Sequence, residues 1–260
     1  MKKKGMCMKI FSWNVNGLRA ATKKGLVDWI KEEQPDILCI QESRANLDQL
    51  PKKAKNIEGY KFFINSGDKK GYSGTAVYYK KEPNKIIMGL PDERFNDEGR
   101  TTIFEYDDFV LFNIYFPNGQ SSDERLEFKM AFYDEFLRYS NELVAEGKKV
   151  IACGDYNTAH QPIDLKNDKA NADRSGFLPI EREWIDKYIA NGYIDTFRYL
   201  HPDEVKYSWW TYRFNARKNN AGWRIDYFFI SKNMKDQLVS AEIHNDVFGS
   251  DHCPISIEIK

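Results

Sequence analysis

The chain has 260 residues, 42% of them hydrophobic and 15% aromatic, which supports a packed core and argues against general disorder. Thirty-nine Lys and Arg balance 39 Asp and Glu, and a net charge of zero excludes an indiscriminate polyanion-coating protein, though not a locally basic face. No apolar run approaches the ~18 residues of a membrane span, and the cysteines at 7, 39, 153 and 253 form no C-x-x-C pair, so they read as reduced core residues.

Met1-Lys2-Lys3-Lys4 has the charge of a secretory leader, but Lys9, Ser12 and Asn14 interrupt any apolar continuation. The expectation is a cytoplasmic protein, nucleoid-associated if prokaryotic. Met8 to Trp13 predicts a strand running into Asn14. Thr22 predicts the cap of a helix carrying Leu26, Trp29 and Ile30, stopped before Pro35. Ile37 to Ile40 predicts a strand ending at Gln41-Glu42, and Val110 to Ile114 one ending at Tyr115 and Pro117-Asn118. Ser121 and Glu124 have capping-box spacing. The helix they open carries Leu126, Met130, Tyr133, Leu137 and Val144 and ends at Gly147. Val150 to Gly154 predicts a strand running into Asp155 and Asn157, which period-2 alternation puts on one face. Pro179 opens a third helix, with Trp184, Tyr188 and Ile189 inward and Gly192 at its end. Asp226 precedes a strand over residues 227–230, and Asp251-His252 precede another over 253–257.

No linker, low-complexity stretch or fixed-period repeat interrupts the chain, so residues 1–260 read as a single domain. Strand runs outnumber helices. The pattern predicts a four-layer α/β sandwich, two packed mixed β-sheets flanked by helices. In such a fold one rim collects the ends of several strands. That rim would hold Asn14, Glu42, Tyr115, Asp155, Asn157, Asp226, Asp251 and His252. The set contains no G-x-S-x-G elbow, Walker loop, dinucleotide fingerprint or His/Cys zinc quartet. Carboxylates and amides without thiols suit a hard cation such as Mg²⁺ or Mn²⁺, and acids crowded together need a cation or a shared proton. Phosphate-ester hydrolysis fits that logic.

Eleven further segments make the sequence specific. They are Lys9-Ile-Phe-Ser-Trp-Asn-Val-Asn-Gly-Leu-Arg19, Pro35-Asp-Ile-Leu-Cys-Ile-Gln-Glu42, Gly71-Tyr-Ser-Gly-Thr75, Glu98-Gly-Arg100, Tyr115-Phe-Pro-Asn118, Cys153-Gly-Asp-Tyr-Asn-Thr-Ala-His160, Ile163-Asp-Leu165, Trp209-Trp-Thr-Tyr212, Asn215-Ala-Arg217, Gly222-Trp-Arg-Ile-Asp-Tyr-Phe228 and Gly249-Ser-Asp-His-Cys-Pro254. In order and content they resemble the exonuclease III family of apurinic/apyrimidinic endonucleases. The resemblance implies a metal-dependent DNA-repair nuclease, acting as a monomer on double-stranded DNA containing abasic sites, with Mg²⁺ as cofactor and Mn²⁺ as a substitute. It implies Glu42 as chief metal ligand, supported by Asn14, Asp251 and Asp155. It implies Asp155 handling the proton of the attacking water or of the leaving group, with Asn157 aligning the water. His252, oriented by Asp226, would meet the scissile phosphate, and Tyr115 and Asn118 would bind its oxygens. Trp209, Trp223 and Ile225 would wall the pocket for an extruded abasic sugar, and Arg213 would enter the helix. Arg19, Arg44, Gly71, Tyr72, Arg100, Arg125 and Asn171 would make the remaining DNA contacts.

Residues 207–225 carry four cations and no acid among aromatic residues, which favours DNA over the lipid or inositol headgroups that other phosphoesterases of this kind hydrolyse. Trp210 and Tyr212 are expected to pack inside. The intact Glu42, Asp155, Asn157, Asp226 and His252 speak against a catalytically silent DNA-binding protein. The segment around Asn171 looks one or two residues longer than in many family members. Residues 92–108 carry seven acids against two Arg, so the zero net charge is a sum over opposed regions.

Overall fold

The structure, a computed structural model, describes residues 7–260, and the Met1–Lys4 start lies outside them. Among the described residues the strands are β1 (Met8–Asn14), β2 (Ile37–Gln41), β3 (Lys61–Asn65), β4 (Thr75–Tyr79), β5 (Lys85–Met88), β6 (Thr101–Glu105), β7 (Val110–Tyr115), β8 (Val150–Asp155), β9 (Tyr193–Asp195), β10 (Asp226–Ser231), β11 (Leu238–Ile243) and β12 (Ile255–Ile259). The helices are α1 (Leu18–Lys23), α2 (Leu26–Glu33), α3 (Lys52–Lys55), α4 (Asp123–Ala145), α5 (Pro179–Ala190) and α6 (Thr196–Leu200).

The strands form two six-stranded mixed sheets, ordered β11-β12-β1-β2-β4-β3 and β5-β6-β7-β8-β10-β9. Each sheet has one parallel pair at its centre, β1 with β2 and β7 with β8, and antiparallel strands outside it. The last two strands return to the N-terminal sheet, so neither sheet is built from one half of the chain. Alternation along each strand sorts the side chains between layers. Ile10, Ile37, Cys39, Ile151 and Cys153 point into the core between the sheets. Phe11, Trp13, Leu38 and Ile40 face the side of α1 and α2. Val150, Ala152 and Phe112 pack under α4 and α5 with Phe132, Phe136 and Trp184. The four-layer sandwich predicted above is therefore the observed architecture.

Local boundaries differ from the sequence reading in ways that have physical causes. Thr22 does not cap a helix: it lies inside α1, its hydroxyl donating to the Leu18 carbonyl at 2.7 Å, and α2 starts separately after Gly25 (φ 100°). The cap of α4 is Ser122, one residue later than predicted, and its side chain accepts the Arg125 amide at 3.2 Å. Ile189 of α5 is 38% exposed, and Ile185 fills the inward position instead. Asn157 is not on a strand face with Asp155: β8 stops at Asp155, and Asn157 turns the chain at φ 52°. Gly154 is obligatory there. Its φ is 145°, and a Cβ would sit 1.7 Å from the Ile114 carbonyl oxygen of the neighbouring strand. That close approach of β7 and β8 delivers Tyr115 and Asp155 side by side, as register partners.

Candidate active site

The C-terminal ends of both central parallel pairs meet at one rim of the sandwich. Asp226, at the start of β10, pairs in register with Asp155 at the end of β8. The loop before β12 adds Asp251 and His252. Beneath the rim a polar relay ties the two sheets together: the Gln41 amide donates to Ser12 Oγ (3.0 Å) and Asn113 Oδ1 (2.8 Å), and Asn113 donates to the carbonyls of Ile40 and Ala76.

Asn14 is fully buried at the centre. Its Nδ2 donates to Glu42 Oε1 at 2.8 Å and to Asp155 Oδ2 at 2.9 Å, so one amide sits between two acids and reduces their repulsion. Its Oδ1 accepts the Asn16 amide at 3.0 Å. Glu42 holds a left-handed backbone (φ 53°), uncommon for a non-glycine residue, and the Glu42 carbonyl and its neighbours Ser43 and Arg44 are tied by hydrogen bonds to Gly17, Gly74 and Ser73. Arg44 forms an ion pair with Glu42.

Asp155 accepts the Asn157 amide at 2.8 Å, and the Asn157 side chain donates to the Phe116 carbonyl at 2.9 Å, which fixes its orientation. Burial, with the charges of Asp226 and Glu42 outweighing the pull of His252, raises the Asp155 carboxyl to about 7. His252 Nδ1 lies 2.8 Å from Asp226 Oδ2, and its Nε2 is 3.8 Å from Asp155 Oδ2. Burial alone would lower the imidazole, but Asp226 and then Asp155 raise it to about 10. Ser208 donates to the same Asp226 oxygen at 2.6 Å while accepting the amides of Ile225 and Asp226, which holds that carboxylate in place. Tyr115 faces Glu42 and Asp155, and burial together with those charges keeps its hydroxyl well above the ordinary tyrosine range.

Glu42, Asp155 and His252 offer ligand atoms within 4.8 Å of one another. A histidine held in its charged form lacks a free lone pair, so the donors suited to a cation are the two carboxylates, and oxygen donors fit a hard divalent ion. Asp251 lies outside that group. It is joined to it through Asn16, which donates to Asp251 Oδ1 at 2.9 Å, while Trp209 Nε1 donates to Asp251 Oδ2 at 3.2 Å. The pull of His252 and these donors outweighs burial and keeps the Asp251 carboxyl below its usual value. Because a ligating carboxylate must be ionised, cation affinity should fall as pH drops through the Asp155 value, with proton release on binding. Calorimetric titration at about pH 8.5 and about pH 6, in buffers of different ionisation enthalpy, reads both effects. Equal affinity at the two values would contradict the assignment.

The aromatic side of the rim is a small apolar cluster of Ala159, Leu165, Phe177 and Ile225, with Trp209 and Trp223 partly exposed above it. The Trp209 and Trp223 rings meet edge to face at 6.3 Å, and Trp209 lies 6.4 Å from the His252 ring. The wall and the charged centre are therefore contiguous. Arg19, Arg44, Gly71, Tyr72, Asn118 and Arg213 are exposed, whereas Arg125 and Asn171 are partly covered. Asn118 Nδ2 donates to Asn157 Oδ1 at 3.1 Å, and Asn171 Nδ2 is spent on the Asn167 carbonyl at 2.7 Å.

Several cations and aromatic residues sit elsewhere than expected. Arg100, expected at the DNA, is 2% exposed and enclosed by Glu98, Tyr72 and Tyr115. Of the four cations in 207–225, Arg224 is buried in ion pairs with Asp164 and Asp195. Arg217 donates to the carbonyls of Ser250, Asn245 and Val247 and lies over the Trp210 and Phe248 rings. Arg213 and Lys218 remain exposed. Trp210 packs inside as predicted, but Tyr212 is 66% exposed, in a stretch of turns with no strand or helix to bury it.

The sequence reading also missed a support beneath the site. Lys129 of α4 is fully buried, donating to Glu181 of α5 (2.6 Å), to Thr158 Oγ1 (2.8 Å) and to the Asn157 carbonyl (2.8 Å). Glu181 in turn accepts the amides of Gly176 and Leu178. In sequence Lys129 lies between Phe128 and Met130 on a helix otherwise read by its apolar spacing, and no local signal marks a buried lysine.

Residues 11–252 match the Endonuclease/Exonuclease/phosphatase family. A Bacillus subtilis (strain 168) protein named "Exodeoxyribonuclease" is 44% identical over 254 residues, spanning 97% of this chain and 99% of its own. The Danio rerio "DNA repair nuclease APEX1" is 43% identical over 253 residues, spanning 96% of this chain and 81% of its own. Among solved structures, an "AP Endonuclease from Archaeoglobus fulgidus" superposes with a TM-score of 0.88 at 27% identity, covering 97% of this chain and 99% of that one.

Proposed function

The chain belongs to the Endonuclease/Exonuclease/phosphatase family, and from that premise we propose that it is a DNA-repair hydrolase cutting the phosphodiester 5′ to abasic sites in double-stranded DNA, leaving a 3′-hydroxyl. A 3′–5′ exonuclease or 3′-phosphodiesterase activity accompanies it at the same centre. The observation that carries the reading is the contact of the charged centre with the apolar wall, made through Trp209, which donates to Asp251 and lies beside His252. A phosphate held at the acids and His252 has, on one side, an apolar wall against which a sugar without its base can pack.

Mg²⁺, with Mn²⁺ as substitute, is the proposed cofactor, held by Glu42 and Asp155 with Asn14 and Asp251 beside them; when bound it offsets negative charge on phosphate oxygens. Asp155, raised to about 7, takes up or gives a proton near neutrality, and its partner Asn157 aligns the attacking water. His252, kept charged by Asp226, presents Nε2 to a non-bridging oxygen without reorganising. Tyr115 and Asn118 donate to the remaining oxygens. Arg19, Arg44, Gly71, Tyr72, Arg125, Asn171 and Arg213 carry the duplex, with Arg213 entering it. The protein acts as a single catalytic domain and a monomer in the cytoplasm. Among the described residues no helix is long and apolar enough to cross a membrane.

Labelled duplexes carrying an abasic analogue, a 3′ mismatch or a deoxyuridine, incubated with Mg²⁺ or with EDTA, test the reading. The expected result is one metal-dependent cut 5′ to the abasic analogue, abolished by EDTA. Failure to cut that duplex, with release of a phosphorylated headgroup from lipid or inositol substrates instead, would overturn it.

A further inference from the structure

Arg100 is a buried cation beside the rim, 2% exposed, and it stands between an exposed loop and a site residue. Its guanidinium stacks on the Tyr115 ring, with Cζ 4.6 Å from the centroid, and Nη1 donates to the Tyr115 carbonyl at 3.0 Å. The Tyr115 amide returns a bond to the Arg100 carbonyl at 2.9 Å. On its other side Nη2 donates to the Tyr72 hydroxyl at 3.1 Å, and the Tyr72 ring lies 5.7 Å away. Tyr72 is 39% exposed, in the loop that carries Gly71. Nε pairs with Glu98, and Glu98 also takes both terminal nitrogens of Arg125, at 2.9 and 3.1 Å.

The segment holding Arg100 is itself clamped to the Tyr72 loop. Asp68 donates to the Asp97 carbonyl (2.8 Å), Gly74 to that of Glu98 (3.3 Å) and Thr75 Oγ1 to that of Gly99 (3.0 Å). Gly99 has φ 60°, and a Cβ there would come within 2.6 Å of the Gly67 nitrogen, so the two segments pack backbone to backbone. Three of the five N–H donors of this guanidinium are held by Glu98, Tyr115 and Tyr72, and at 2% exposure it has almost no surface to present to a phosphate. A planar cation stacked on one ring and hydrogen-bonded at both ends fixes geometry in a way that a lysine does not.

The geometry points to Arg100 as a positioning residue: it locks the Tyr115 ring against the reaction centre and links that ring to two duplex-facing residues, Tyr72 directly and Arg125 through Glu98. This inference rests on the nuclease reading above. It predicts that the strand-facing loop and Tyr115 move as one unit, so that engagement of DNA at Tyr72 and Arg125 is felt in turnover.

The test compares Arg100→Met, Arg100→Lys and Tyr72→Phe with the unaltered protein on an abasic duplex, measuring kcat, KM and the slope of log binding constant against log salt. Expected are a fall in kcat of roughly tenfold or more for both Arg100 variants, as for a reacting group displaced from its place, with KM nearly constant. The salt slope stays unchanged, and lysine does not rescue. Tyr72→Phe, which keeps the exposed ring and removes only the hydroxyl, lowers kcat in the same direction by a smaller factor and covers the case in which an Arg100 variant does not fold. A salt slope reduced by about 0.9 with kcat intact, the mark of one lost phosphate contact, overturns the inference. So does an unchanged kcat in Arg100→Lys or in Tyr72→Phe. If the unaltered protein does not cut the abasic duplex, the nuclease reading fails; if it cuts and the variants match it, only the positioning role fails.

Discussion

Asp155→Asn should reduce turnover on an abasic duplex by about 10²–10⁴-fold, the range attributable to one positioned proton-transfer group, while the protein remains folded. The isosteric amide keeps the shape of the site and can still accept the Asn157 amide. What it loses is the titratable carboxyl, raised to about 7, that the proposed proton transfer needs, together with the Oδ2 acceptor of the Asn14 amide. The stability consequence has the opposite sign. An acid whose folded value exceeds its unfolded value of about 3.9 favours the fold below that pH, and the advantage is lost as pH rises to about 7. Asp155→Asn removes that loss. Its melting temperature should therefore equal or exceed that of the unaltered protein near pH 8, with the difference closing toward pH 4. His252→Ala should cost turnover comparably, but it behaves inversely on stability. The native imidazole is raised to about 10, so its pairing with Asp226 stabilises fully below about pH 6.5 and fades as pH rises through 10. The melting deficit of His252→Ala should be largest at low pH and narrow toward pH 10. Thermal melts across pH, beside single-turnover cleavage, check all four statements. Near-normal cleavage by purified Asp155→Asn would remove it from the chemistry.

Lys129→Met is the larger stability prediction. Lys129 and Glu181 are both fully buried, and burial holds the Lys129 ammonium below the usual lysine range despite its partner. Replacing only the lysine leaves Glu181 in the interior without a cation. The expected cost is about 3–5 kcal/mol, or a melting temperature lower by roughly 5–10 °C in a chain of this size. The double change Lys129→Met with Glu181→Gln should recover part of that loss, because it removes the unpaired charge. Recovery would be incomplete, since the Asn157 carbonyl and the amides of Gly176 and Leu178 also use this pair. A melting temperature unchanged in Lys129→Met would show that the pair contributes nothing net. If the pair also holds the Asn157 turn, the double variant should be slower in turnover at temperatures where it is fully folded.

The sandwich was legible because its central strands are short apolar runs that end in chemically distinctive residues. Asn14, Glu42, Tyr115, Asp155, Asp226 and His252 each abut such a run, so locating the run locates the residue. Edge strands were less visible: β3, β5 and β11 carry polar or exposed positions, and no continuous hydrophobic signal marks them. Helix starts shifted by a residue or split, as at Ser122 and Gly25, because several neighbouring residues compete as caps and packing decides among them.

Sequence by itself determined the layer architecture, the opposed charge regions and which polar residues end the central strands, since these depend on residue type, period and local order. Tertiary structure alone decided which charges are free. Arg213 and Arg224 lie eleven residues apart in one basic aromatic stretch, yet one is exposed and the other is sealed between Asp164 and Asp195. Arg100 reads as a DNA contact and Lys129 goes unread until Tyr72 and Tyr115 around the one, and Thr158 and Glu181 around the other, are seen. Whether a cation faces solvent or a buried acid depends on contacts between residues far apart in sequence, and desolvation, which no local pattern encodes, sets its role.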